Sequence, residues 1–221
     1  MSPRILFEQE LETLKDKVTE MGERAEISYN KLLLALKAGD RETLTQLLDN
    51  DRQMVDMQRS IEAKCLTLLT KQQPVARDLR LVSAALKVVT DIERIGDHVT
   101  DLAELFLRVE PGYPLLEKEP TLGRMMHATG EMLHEAVEAF VNEDAPAAQK
   151  VIDKDDEVDD FFNEIKDEVI TIIKAKEQDA DKVVDVLMMA KYLEKIGDHA
   201  VNIGEWTIFQ KTGDIESVRI L

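Results

Sequence analysis

The sequence predicts an all-α protein made of two tandem three-helix bundles related by internal pseudo-symmetry. Three observations predict it. Leu, Ala, Glu, Lys, Met and Val abound, while aromatics make up 5% of the 221 residues and glycine and proline are few, a mixture that favours helix. Apolar residues recur at steps of three and four through long segments. The hexapeptide Glu93-Arg94-Ile95-Gly96-Asp97-His98 returns 101 residues later as Glu194-Lys195-Ile196-Gly197-Asp198-His199, so the chain states one plan twice.

From Arg4 to Leu36, the positions Leu11, Leu14, Val18, Met21, Ala25, Tyr29, Leu32, Leu33 and Leu36 mark a long amphipathic helix. Gly39-Asp40 breaks it and recaps, with Asp40 as N-cap and Glu42 placed for the helix dipole. A second helix is expected as one piece over 41–70, with Leu44, Leu47, Leu48, Met54, Val55, Ile61, Leu66 and Leu69 inward. Gln72-Gln73-Pro74 is the next boundary, because proline fits a first helical turn and disfavours helix in the residue before it. A third helix, from Pro74 to Val109, carries the first hexapeptide.

Residues 110–120 hold three prolines and a glycine, which excludes regular helix. The stretch 111–120 is therefore read as the linker between a first bundle, 1–110, and a second, 121–221. The plan then repeats: a helix from Thr121 to Val141, a cap at Asp144 with Pro146 in the first turn, a helix to Lys176, a break near Gln178-Asp179, and a last helix to Lys211. Gly39-Asp40 aligns with Glu143-Asp144, and Leu47 to Asp51 with Val151 to Asp155, at an offset of 104. Breakers at such intervals exclude a long coiled coil.

The formal charge is −17 and uneven: residues 1–110 carry 16 basic and 20 acidic side chains, the remainder 12 and 25. Such a surface repels nucleic acid and anionic lipid and attracts cations or a basic partner. Cys65 is the one cysteine; on an apolar helical stripe it is expected as a buried thiol. No stretch approaches the apolar length of a signal peptide or a membrane span, and the chain is expected in the cytoplasm.

With about 100° per residue, Glu93 and Asp97 lie about 40° apart on their helix, and Asp101 and Glu104 within about 80° of Glu93. Glu194, Asp198, Asn202 and Glu205 repeat the strip on the last helix. Asp155 and Asp159 share the same four-residue spacing; their first-half counterparts are Asp51 and Val55. Like charges four apart repel, so strips on duplicated helices suggest a cation site, with a solvated acidic face as the plain alternative. Oxygen ligands favour Fe, Mn, Mg and Ca, with Zn open if a histidine assists. His98 and His199 sit about 140° from the opening glutamates and are expected to pack or hydrogen-bond against a neighbouring helix. Gly96 and Gly197, costly in mid-helix, point to crowding. Met125, Met126, Met132, Met188 and Met189 are expected in the core or at bundle seams. Glu131 and His134 form the one Glu-x-x-His pair, too little for a di-iron bundle. Nucleotide loops, nucleophile elbows and dinucleotide fingerprints are absent, and no enzyme is expected.

Three stretches together resemble the PhoU family, accessory and negative regulators of bacterial phosphate-specific transport. They are Gln73-Pro74-Val75-Ala76-Arg77-Asp78-Leu79-Arg80-Leu81-Val82, Asp91-Ile92-Glu93-Arg94-Ile95-Gly96-Asp97, and Tyr192-Leu193-Glu194-Lys195-Ile196-Gly197-Asp198-His199-Ala200-Val201-Asn202-Ile203-Gly204-Glu205. The resemblance covers nearly the whole chain. It implies two pseudo-symmetric three-helix bundles and multinuclear iron or zinc clusters, held on the bundle surfaces by Glu/Asp-x-x-x-Asp motifs; Mn, Mg, Ca and Ni stay open.

Those motifs fall on Glu93 and Asp97, Glu194 and Asp198, and Asp155 and Asp159. Val55 departs from the pattern and leaves Asp51 alone; Asp101 and Asn202 are candidates from helical geometry only. The resemblance further implies a non-catalytic homodimeric adaptor. It would join the phosphate-transporter ATPase subunit to the phosphate-sensing histidine kinase and restrain both uptake and the starvation response. Metal storage or buffering, a carboxylate-metal enzyme, and a metal-free scaffold are the competing readings.

Overall fold

Periodic apolar residues do form long helices, and every secondary-structure element described is an α-helix. The computed structural model describes residues 3–48, 51–71, 74–109, 111, 115–175 and 180–213. The breaks expected at Gln72-Gln73 and Gln178-Asp179, Glu110, the linker residues Gly112, Tyr113 and Pro114, and the side chain of Asp51 lie outside the described residues.

Helix α1 (Pro3–Ala38) buries Phe7, Leu11, Leu14, Val18, Met21, Ala25, Tyr29 and Leu32, the three-four stripe read from the sequence. It ends where Gly39 takes φ 65°: the Gly39 N–H donates to Leu36 O and the Asp40 N–H to Ala35 O, which satisfies carbonyls a helix end leaves open. Asp40 then caps α2 (Arg41–Leu47), accepting from the Glu42 and Thr43 N–H groups at 3.1 Å. The same junction recurs between α6 (Pro120–Val141) and α7 (Ala145–Asp153). Glu143 there sits at φ 53°, and Asp144 accepts from the Ala147 N–H at 3.0 Å. A glutamate in a left-handed position costs on the order of 1 kcal/mol that glycine avoids.

The helix expected as one piece over 41–70 is two, α2 and α3 (Asp51–Lys71). Its second-half counterpart is likewise split into α7 and α8 (Asp155–Ala175). At that split the Lys154 N–H is shared between Lys150 O and Val151 O, each at 3.2 Å, and three acids, Asp155, Asp156 and Glu157, open the new helix at its positive end. Short-range periodicity hides such a break, because the apolar stripe continues across it. Helix α4 (Ala76–Arg108) starts two residues later than expected, with Val75 at the cap position. The linker holds one helical turn, α5 (Leu115–Lys118), because the five residues between Pro114 and Pro120 are enough for one turn. Helix α9 (Ala180–Thr212) is the last element among the described residues.

Helices α1–α4 and α6–α9 form two helical sets that share one apolar cluster. Their longest contact runs along α4 and α9, with α1 against α6 beside it. Cys65 is buried as expected, and burial pushes its thiol up to about 12. Met125, Met126, Met132 and Met189 are in the core, but Met188 and Leu66 are exposed. At those places Met189 and Leu68 face inward instead. Among the described residues no helix is long and apolar enough to cross a membrane.

Candidate metal centre

The glycine of the repeated hexapeptide marks where a neighbouring helix meets its carboxylates. A Cβ at Gly197 would lie 3.4 Å from Val158 Cγ1 and 3.6 Å from Asp155 Oδ1; one at Gly96 would lie 3.2 Å from Met54 Cγ. So α8 settles on α9, and α3 on α4, at matching glycines. The crowding expected at both is present at Gly96; at Gly197 a Cβ would make only ordinary contacts, so the expectation fails there. Because α7 stops at Asp153, Asp155 opens α8 beside Gly197 and the face bearing Glu194 and Asp198.

Four of the expected residues, from two helices, consequently share one field. Burial first, then the charges of Asp159, Asp198, Asp156 and Glu194, pushes the Asp155 carboxyl up to about 6. Asp159 is raised by burial and by Glu194, Asp198 and Asp156, with Lys191 opposing. Lysines answer part of this charge: Lys191 pairs with Glu194, and Lys195 with Asp198 and, at 3.6 Å, with Glu194. Among the described residues no three His, Cys, Asp or Glu side chains are already set as a metal cage. The donor chemistry fits a hard divalent cation, since the crowding of charge that raises the Asp155 and Asp159 pKa values is relieved by positive charge.

The first half differs. Glu93 is buried, and Arg94 spans it and Asp97 at 3.6 and 2.9 Å. Asp51 opens α3 as Asp155 opens α8, but the place matching Asp159 holds half-buried Val55.

Asp101 and Asn202 stand apart from these faces, at the seam between α4 and α9. Asn202 Nδ2 donates to Asp91 Oδ1 at 3.0 Å, and His199 Nδ1 lies 2.8 Å from the same oxygen. Asp101 lies 3.3 Å from His98 Nδ1. The His98 ring stacks at 5.6 Å on His199 and lies 5.5 Å from Tyr192. Both histidines thus pack against the neighbouring long helix, as their angular position predicts. Burial lowers the His98 pKa against the opposing pull of Asp101. His134 reaches Glu26 of α1 at 2.9 Å and builds no cluster with Glu131.

A family model described as "PhoU domain" matches this chain twice, over residues 18–106 and 122–207. The chain belongs to the PhoU family. Among PhoU relatives, the phosphate-specific transport system accessory protein PhoU homolog of Clostridium acetobutylicum is 32% identical over 95% of this chain and 96% of its own length. The homolog from Burkholderia sp is 30% identical over 92% and 87%. The crystal structure of PhoU from Streptococcus pneumoniae superposes with a TM-score of 0.88 at 26% identity, covering 96% of this chain and all of that one. PhoU from Pseudomonas aeruginosa gives 0.84 at 30% identity over 94% of this chain.

Within this PhoU chain, sequence reasoning passes over two groups that shape the site. Asp91 anchors the α4/α9 seam; its signal is the internal alignment, in which it stands opposite Tyr192, an acid against an aromatic at otherwise matching positions. Lys191 and Lys195 supply countercharge to the strip, visible as bases three residues before Glu194 and Asp198.

Proposed function

We propose that this chain is a cytoplasmic accessory regulator of phosphate-specific transport, an adaptor between the transporter's ATPase subunit and a phosphate-sensing histidine kinase, working as a homodimer. The observation that carries this reading is the coverage: a relative named a phosphate-specific transport system accessory protein aligns over 95% of this chain and 96% of its own length. The acidic surface, −17 overall, supports recognition of basic partners.

We further propose that Asp155 and Asp159 of α8, with Glu194 and Asp198 of α9, hold a divalent metal; of the iron and zinc that the family resemblance implies, this all-oxygen face without a histidine favours iron. Glu93 and Asp97, with Asp51, form the corresponding and poorer face. A bound cation would supply positive charge that offsets the carboxylate repulsion. These residues would then tie α8 to α9 and fix the acidic surface offered to a partner.

Deleting the gene tests the regulatory reading. Alkaline phosphatase or transporter expression should become constitutive at high phosphate, and normal repression in the deletion strain counts against it. Storage of metal as the main role predicts altered metal content with repression intact.

A further inference from the structure

Two residues whose sequence setting pointed inward, Leu66 and Met188, are exposed instead, and neither is isolated. On α8, Phe162, Lys166 and Ile170 follow one another at four-residue steps, with Ile173 and Lys174 next, so they share a face. That face is turned to α9, because Lys191 Nζ lies 5.2 Å from the Phe162 ring centroid and Lys166 Nζ 5.9 Å from it. Gly197 faces Val158 and Asp155, so α8 and α9 run antiparallel. About two turns beyond Phe162 and Lys191, Ile170 therefore comes level with Val184. Ile170, Ile173, Val184 and Met188 are each 39–48% exposed, and Leu187 is half-buried among them. One exposed apolar side chain is ordinary; four along one groove form a patch.

The first half repeats the feature. At the offsets that align the halves, 104 and 101 residues, Ile170 matches Leu66, Ile173 matches Leu69, and Leu187 matches Leu86. Leu66 is 57% exposed, and Leu69 and Leu86 are half-buried. The contact that sets the groove recurs as well: Gln58 Nε2 reaches Thr90 Oγ1 at 3.4 Å, at the places of Phe162 and Lys191. The core does not need these side chains, since the neighbouring matched pair, Cys65 and Val169, already faces inward.

Charge points to what covers the second-half groove. The protein is −17 overall, yet beyond Asp159 the α9-facing positions of α8 hold Lys166 and Lys174 and no acid. Lys166 Nζ donates to Asn163 Oδ1 at 2.6 Å and Lys191 pairs with Glu194, whereas exposed Lys174 has no hydrogen-bond or ion-pair partner among the described residues. Asp167 lies on the outer flank, and Asp185 is turned to Arg108 at 3.7 Å. An all-helical surface offers no open backbone edge to a strand, so a segment bedded there must satisfy its own backbone, as a helix does. We propose that the apolar end of the α8/α9 groove docks an amphipathic helix of a partner protein, apolar on the buried face and acidic on its flanks. From Phe162 to Ile173 the groove runs about 16 Å, room for about three turns. The α3/α4 copy, with Glu62 at the place of Lys166, is the weaker one. The inference rests on the adaptor reading for the existence of a partner, and not on the metal.

The test is fluorescence anisotropy of a dye-labelled helical peptide of about 15 residues, with leucine at every third or fourth position and glutamate elsewhere, added to the full chain at about 0.15 M salt. Saturable binding is expected, with methyl NMR shifts at Ile170, Val184 and Met188. The same peptide with lysine for glutamate should bind about fivefold more weakly or worse. Ile170→Gln combined with Met188→Gln, both on the surface and outside the metal face, should weaken binding about tenfold or more. Lys174→Glu should weaken it with the apolar groove intact, and Leu66→Gln should matter less. No saturable binding, equal binding of the two peptides, shifts elsewhere, or indifference to the α8 and α9 substitutions overturns the proposal. So does a preference for phosphatidylglycerol vesicles, or methyl shifts at these residues that follow protein concentration alone; those outcomes assign the groove to a membrane or to a second copy. Peptide binding alongside normal repression in the deletion strain would keep the groove and remove the adaptor reading, and constitutive expression without peptide binding would do the reverse.

Discussion

His199 of α9 crosses the seam between the two halves and meets Asp91 of α4, with Nδ1 2.8 Å from Oδ1. A carboxylate can only accept, so Nδ1 carries the proton, and Asn202 brings a second donor to the same oxygen at 3.0 Å. One buried acid therefore takes two bonds from the opposite half. Asp91→Ala should destabilise the protein by about 1.5–3 kcal/mol, the usual range for hydrogen bonds to a charged group. A double-mutant cycle with His199→Ala, read by urea unfolding, should show coupling of about 0.5–3 kcal/mol. Strict additivity would remove the seam role assigned to Asp91.

Much of this architecture was legible in the sequence, for identifiable reasons. The apolar stripe of α1, the caps at Asp40 and Asp144, and the duplication all rest on local signals: a 3.6-residue period, a side chain accepting backbone N–H groups, and a repeated string. The α2/α3 and α7/α8 breaks were not legible, because Leu47 to Asp51 and Val151 to Asp155 keep an apolar and acidic pattern that a continuous helix would share. The convergence of Asp155 and Asp159 on Glu194 and Asp198 followed from spacing only in part. Spacing gives each strip; the stop at Asp153, which lets Asp155 open α8 beside Gly197, brings the strips together. Asp101 and Asn202 fall within about 80° of Glu93 and Glu194 on their helices, yet that breadth takes them round to the α4/α9 seam, where His98 and Asp91 engage them.

Divalent cation added to metal-free protein should raise the melting temperature by about 5–10 °C once the ion exceeds its dissociation constant about a hundredfold. Asp155→Asn or Asp198→Asn should abolish most of that rise. Asp97→Asn should change it less, because Val55 already deprives the first half of a carboxylate. Calorimetric scans with zinc, manganese and ferrous ion make the comparison; equal losses from both halves would refute the asymmetry.

In metal-free protein, the Asp155 carboxyl sits at about 6 against an ordinary value of 3.8. A raised acid pKa means that the folded state holds this proton more tightly than the unfolded state. Its contribution is therefore most favourable below the ordinary value and is lost as pH rises through about 6. Asp155→Asn, which stays neutral, should be more stable than the natural chain at pH 7, and the gap should close as pH falls toward 4. Urea midpoints measured across that range in the presence of a chelator check both the sign and the window. A gap independent of pH would mean that the acid is not desolvated beside Asp159 and Asp198.

The α1/α6 crossing depends on two glycines that the sequence does not single out. A Cβ at Gly22 would come 2.5 Å from Val137 Cγ1, and one at Gly130 would come 2.8 Å from Tyr29 Cε1. Tyr29 is fixed there by donating its hydroxyl to Met126 O at 2.6 Å. Alanine for glycine in a helix ordinarily gains roughly 1 kcal/mol, so Gly22→Ala would be stabilising if the helices could part. Val137 is buried and β-branched, with little rotamer freedom to yield, and overpacking of this kind costs about 1–3 kcal/mol. The expected net effect is a loss, with α1 levered away from α6. Val137→Ala in the same chain removes the opposing methyls, so the double variant should be more stable than the two single effects predict. Thermal unfolding of the four proteins decides it, and a stabilised Gly22→Ala single variant would show that the crossing is looser than the close approach at Val137 requires.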